Sequence, residues 1–188
     1  MRITAYASSS SAVDAVYADA VAAFGTRLAE RGDELLYGGT AVGLMHVLAD
    51  HVRGGGARVT GVLPALMRDR GLADEACDEL IVTDGMQGRK QVLMERAEAF
   101  VALPGGFGTL EELLEVLTLK QLGYHARPIV LFDVAGCYQP LLATFEHLFV
   151  ERFAKRDYAR LYHVADDVDG IFAYLDAYEH EALPTKWF

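Results

Sequence analysis

Short apolar runs alternate along this chain with longer stretches whose apolar residues recur every three to four positions. A run too short to be a helix, followed by an amphipathic helical stretch and then by another such run, builds a parallel sheet covered by helices on both faces. The runs at 3–7, 34–37, 58–63, 80–82, 99–103 and 128–132 are the expected strands. Val13, Val16, Ala20, Phe24 and Leu28 form one helical stripe; Leu93, Met94 and Ala97 form another, with a weaker one at Leu44, Val47 and Leu48. After Gly136 the chain reads as helical to about Phe153, then irregular, then helical again over 168–178.

This pattern predicts an α/β fold: a single Rossmann-like, doubly wound domain over 1–178, with a C-terminal tail at 179–188. A length of 188 residues with 52% apolar content suffices for one core. Gly54, Gly55 and Gly56 are too few for a domain linker, and the tail carries Trp187 and Phe188, which are costly to leave in water. Seventeen basic against 27 acidic residues give a formal charge of −10, so no nucleic acid partner and no anionic membrane partner is expected. Cys77 and Cys137 are far apart with no C-x-x-C pattern, no secretory leader is read at the start, and no apolar run reaches the ~18 residues of a membrane span. A cytoplasmic protein is expected.

In a parallel sheet the loops that leave each strand gather at its carboxyl edge, where ligands bind. Those loops are 8–11, 38–43, 84–90 and 104–109. Taken alone, Ser8, Ser9 and the serines after them read as helix caps, Gly38, Gly39 and Gly43 as a tight turn, and Arg89 and Lys90 as a solvated helix face. The loop Pro104-Gly105-Gly106-Phe107-Gly108-Thr109 asks for more. Thr109 and Glu112 have the spacing of a capping box, yet capping needs no run of glycines, and bare amides at a helix start suit an oxyanion. No Walker A motif occurs, and the dinucleotide fingerprint would have Glu111 in place of its third glycine. A pyrophosphate against Glu111, Glu112 and Glu115 would be repelled, whereas a ribose diol would be welcome. A nucleoside 5′-monophosphate satisfies both demands, with phosphate on the glycine amides, Thr109 and Arg89.

These residues resemble the Lonely Guy family of nucleotide phosphoribohydrolases, often labelled lysine decarboxylases. The likeness runs through P-G-G-x-G-T-x-x-E from Pro104 to Glu112, the upstream Arg89-Lys90, Tyr37-Gly38-Gly39 followed by Gly43-Leu44-Met45, and the stretch from Leu122 to Leu142. It implies hydrolysis of an N-glycosidic bond to free base and ribose 5-phosphate, with Arg89 and Glu112 catalytic. Ser8, Ser9, Gly39, Lys90, Gly105, Gly106, Phe107, Gly108, Thr109, Glu111 and Thr118 would then hold phosphate and ribose. It also implies a homodimer with shared active sites. A carboxylate fixed beside the anomeric carbon suits this chemistry, because positive charge builds on the ribose ring in the transition state.

The chain departs from the family at Ala7, Thr40, His46, Gly71 and Gln87, which leaves a pyrimidine nucleotide such as CMP beside adenine cytokinins as substrate. A non-catalytic nucleotide or molybdenum-cofactor-type carrier stands as the alternative, since fold does not determine function. No cofactor is expected. Pyridoxal chemistry needs a Schiff-base lysine and a partner for the ring nitrogen, and of Lys90, Lys120, Lys155 and Lys186 the first is accounted for beside Arg89. No metal is expected either: His46 and His51 are five apart, on different faces of a helix, and neither cysteine has ligand spacing to a histidine. His125, His147, His163 and His180 read as surface or packing residues.

Overall fold

The computed structural model describes residues 1–181. Seven strands, β1 (Arg2–Tyr6), β2 (Glu34–Tyr37), β3 (Val59–Pro64), β4 (Glu79–Thr83), β5 (Ala99–Ala102), β6 (Ile129–Phe132) and β7 (His163–Ala165), form one parallel sheet in the order β4-β3-β2-β1-β5-β6-β7. Ile3 pairs with Leu35 on one side and Ala99 on the other, so β1 lies at the centre. The order runs outward from β1 to β4, then crosses back to β5 and outward again. The crossing opens a crevice between the carboxyl ends of β1 and β5.

The helices are α1 (Ala15–Glu30), α2 (Gly43–Gly54), α3 (Ala65–Asp69), α4 (Met86–Arg96), α5 (Phe107–Gln121), α6 (Gln139–Val150) and α7 (Val168–Ala177). Because strand side chains alternate, β5 sends Ala99 and Val101 into one apolar layer and Phe100 and Ala102 into the other. The first layer packs under α1, α2 and α7, the second under α4, α5 and α6. Phe24 of α1 stacks on Phe172 of α7 with ring centroids 5.5 Å apart, and burying a ring of that size contributes roughly 2 kcal/mol. Thr4, the polar residue in the middle of β1, gives its hydroxyl proton to the Leu93 carbonyl at 2.9 Å.

Several sequence expectations shift. The α1 stripe begins later than its spacing suggests: Val13 precedes the helix and Val16 is exposed, while Val21, Phe24 and Leu28 are buried. Its start falls at Asp14, so the serines at 8–11 do not cap it. The segment read as irregular after Phe153 holds a 3-10 turn, Arg156–Leu161, and strand β7, whose three residues are too few to show a period. The tail residues Trp187 and Phe188 lie outside the described residues.

Candidate active site

Four segments meet at the crevice: residues 8–10 after β1, residues 38–42 after β2, the first turn of α4 and the first two turns of α5. They enclose a cavity of about 610 Å³. That space accommodates a nucleotide-sized ligand.

The floor is an ion pair. Arg89, from α4, is buried; its Nε donates to the Val62 carbonyl at 3.1 Å and its Nη1 to Glu112 Oε1. Glu112 lies in the second turn of α5 and is also buried. A Cβ at Gly38 would stand 2.6 Å from Arg89 Nη2, so only glycine leaves room there for the guanidinium. Burial pushes the Glu112 carboxyl above its ordinary value; Arg89 pulls it down, and the like charges of Glu111 and Glu115 push it further up. A carboxylate buried against one fixed cation, at the base of a cavity, is suited to answer positive charge that develops on a bound ligand.

The rim is the start of α5. Gly106 stands at the N-cap and makes no side-chain cap bond, and the helix begins at Phe107. The capping box expected from Thr109 and Glu112 is therefore absent: Thr109 lies inside the helix, packed against Gly105, and Glu112 turns to Arg89 instead. A Cβ at Gly105 would collide with the Thr109 hydroxyl, whereas one at Gly106 or Gly108 would meet nothing within 4 Å. No packing inside the chain requires those two glycines. They keep the first-turn amides of α5 accessible from the cavity, where the helix dipole favours an anion.

The remaining walls are held by backbone. The Ser8 carbonyl accepts from Leu44 N at 2.9 Å, which ties the β1 loop to the start of α2, and Ser8 Oγ accepts from Ser10 N at 3.0 Å. Asp74 N donates to the Gly39 carbonyl at 2.9 Å, while the buried Asp74 carboxylate accepts from the Tyr37 hydroxyl at 2.6 Å and Arg53 Nη1 at 2.9 Å. Burial alone would raise the Asp74 carboxyl; Tyr37 and Arg53 hold it below its usual value. The glycine turn after β2 is thus clamped from behind.

Of the residues expected from sequence, Ser8, Ser9, Arg89, Gly106, Phe107, Gly108, Thr109, Glu111 and Glu112 line the cavity. Gly39 and Gly105 stand behind its surface. Lys90 is not a solvated face: its ammonium is bound to Glu111 and Glu115. Thr118 donates to the Leu114 carbonyl at 2.7 Å and borders a separate apolar groove between α5 and α6. Met45, Met67, Leu72 and Met86 supply an apolar wall that was not named among the expected site residues. Met86 stands three residues before Arg89 on the same helix face, a spacing that could have placed it there. Among the departures, Ala7 and Thr40 reach the cavity, while His46, Gly71 and Gln87 are exposed elsewhere.

Among the described residues no group of three or more His, Cys, Asp and Glu side chains could hold a metal ion. No described helix is long and apolar enough to cross a membrane. His125 is buried, as a packing residue would be; its Nε2 faces the Val116 carbonyl at 2.9 Å and its Nδ1 accepts from Arg127 N at 3.2 Å, which sets the tautomer.

Residues 45–175 match the family model described as "Possible lysine decarboxylase". The chain is 42% identical over 160 residues to the cytokinin riboside 5′-monophosphate phosphoribohydrolase LOG of Oryza sativa subsp. japonica, covering 85% of this chain and 66% of the relative. It is 37% identical over 187 residues to the cytokinin riboside 5′-monophosphate phosphoribohydrolase LOG2 of Arabidopsis thaliana, covering 98% and 88%. Among solved structures, the molybdenum cofactor carrier protein of Chlamydomonas reinhardtii superposes with a TM-score of 0.72 at 26% identity, over 93% of this chain and 95% of that one. With its fold, its glycine-lined helix start and sequence identity over most of its length in agreement, the chain belongs to the Lonely Guy family of phosphoribohydrolases.

Proposed function

We propose that the chain hydrolyses the N-glycosidic bond of a nucleoside 5′-monophosphate, releasing free base and ribose 5-phosphate. The observation that carries this reading is the buried Arg89–Glu112 pair beneath a helix start that no side chain caps. Phosphate binds at the first-turn amides of α5 beside Thr109, which directs the ribose toward Glu112. As the bond to the base lengthens, the Glu112 carboxylate stabilises the positive charge on the ring; water adds its hydroxyl to the anomeric carbon and its proton leaves with the base. Arg89 holds the carboxylate in place and ionised.

The apolar wall of Met45, Met67, Leu72 and Met86 favours a base with an apolar substituent, as in a cytokinin nucleotide, over CMP. The carrier alternative is not favoured: the relatives at 37% and 42% identity are named as hydrolases, and the likeness to a carrier stands at 26%. A second copy of the chain would cover the α5–α6 groove, which Leu114 lines, and the exposed Val150 and Phe153 at and beyond the end of α6, and this supports a homodimer. Both cysteines are free, which suits the reducing cytoplasm.

The test is ribose 5-phosphate release from AMP, CMP, GMP, UMP and isopentenyl-AMP, with Glu112→Gln as control. Preferential turnover of isopentenyl-AMP, lost in the variant while binding persists, is expected. Full turnover by Glu112→Gln would remove the mechanism, and binding without turnover in the wild type would return the protein to the carriers.

A further inference from the structure

Lys90 follows Arg89 in sequence but serves a different partner. Its ammonium sits 2.5 Å from Glu111 Oε1 and 3.2 Å from Glu115 Oε1, one turn apart on α5, and it does not line the cavity, whereas Glu111 does. The start of α5 therefore carries three carboxylates, of which Arg89 compensates Glu112 and Lys90 the other two. Without Lys90, two negative charges would stand beside the turn whose amides face an anion, and beside the carboxylate on the cavity floor.

We propose that Lys90 is a positioning residue that acts through Glu111 and Glu115: by neutralising them it lets the start of α5 accept a phosphate while Glu112 stays ionised. This rests on the phosphoribohydrolase reading. It differs from the role expected from sequence, in which Lys90 touches the substrate itself. The groups that face Glu112 are Arg89 from α4, the buried Tyr6 hydroxyl from β1, and Glu111 and Glu115 from its own helix; Arg127 acts on Tyr6. Removing Lys90 changes only the last two of these directly.

The experiment compares wild type, Lys90→Met, Lys90→Arg and Lys90→Met with Glu115→Gln, measuring kcat and KM for isopentenyl-AMP against pH, and calorimetric binding of inorganic phosphate. Lys90→Met is expected to raise KM about tenfold and to move the acid limb of kcat/KM upward by about half to one pH unit. Adding Glu115→Gln should recover about half of each change, although residue 115 lies outside the cavity, and Lys90→Arg should stay close to wild type. A raised KM with an unmoved acid limb and no recovery from Glu115→Gln would overturn the proposal and make Lys90 a direct phosphate ligand. If the wild type turns over none of AMP, CMP, GMP, UMP and isopentenyl-AMP, the hydrolase reading fails on its own, and phosphate binding still decides for Lys90: weakened in Lys90→Met and restored by Glu115→Gln, or not restored.

Discussion

Two helices of this domain begin in opposite ways. At α7, Asp167 occupies the N-cap and its Oδ1 accepts from Gly170 N at 2.6 Å, closing the first turn with the chain's own carboxylate. At α5, Gly106 occupies the same position and offers no side chain at all. Asp167 stabilises its helix by about 1 kcal/mol; Gly106 forgoes that gain and leaves first-turn amides exposed at a cavity. Other helices here also start without a side-chain cap bond; what sets α5 apart is that Gly106 and Gly108 line its open start at the cavity, above the buried Arg89–Glu112 pair.

The largest effect should come from what lies under the open start. Replacing Glu112 with Gln removes the charge but keeps the shape, and kcat should fall about 10³-fold with nucleotide affinity little changed, read by steady-state kinetics and calorimetry. The acid limb of the wild-type profile should lie above the ordinary carboxylate value, because burial raises Glu112 and activity is lost as pH falls through that raised value.

The other end of α5 provides the next contrast. Burial lowers the His125 imidazole to about 4, while the unfolded chain titrates near its ordinary value. A depressed folded value means that the contribution to stability is fully present above about 6.5 and is lost as pH falls toward 4. Denaturation midpoints should therefore show a loss of about 3 kcal/mol between pH 7 and pH 4 in wild type that is absent from His125→Gln, whose amide can still donate to the Val116 carbonyl. Equal acid sensitivity in both proteins would show that His125 is not the responsible group.

Making α5 resemble α7 breaks the comparison directly. Gly106→Asp has space for its side chain and a negative φ of −97° at that position, so the chain should fold with unchanged or slightly raised Tm. Its carboxylate would take the amides that phosphate uses, and KM for the nucleotide should rise at least tenfold. The converse change is the smallest: Asp167→Ala should lower stability by about 1 kcal/mol in urea and leave KM untouched. A KM shift there would mean that α7 communicates with the cavity.

Much of this was legible in advance because it is local. Six of the seven strands are visible as apolar runs, and their ends move by only a residue or so, since hydrogen-bond pairing rather than apolarity sets where a strand stops. β7 escaped because three residues carry no period. The glycine loop, Arg89 and Glu112 were recognisable as a group, but the capping box was not there: the N-cap falls on Gly106, which leaves Thr109 at N3, inside the helix. Apart from the spacing of Met86 from Arg89, the apolar wall was hard to tell from core, because an apolar residue facing a cavity looks like one facing a core.

The order of residues by itself determined the alternation of strand and helix, the site's place at the carboxyl edge, and the choice of glycine where amides must stay bare, since each follows from backbone sterics or periodicity within a few residues. Only the tertiary structure decided which acid meets which base. Glu111, Glu112 and Glu115 are chemically alike, as Arg89 and Lys90 nearly are; the rotation of α5 against α4 buries one pair under the cavity and leaves the other cluster beside it. Burial, which depends on every element packed around the pair, is what makes the Glu112 carboxyl unlike its neighbours.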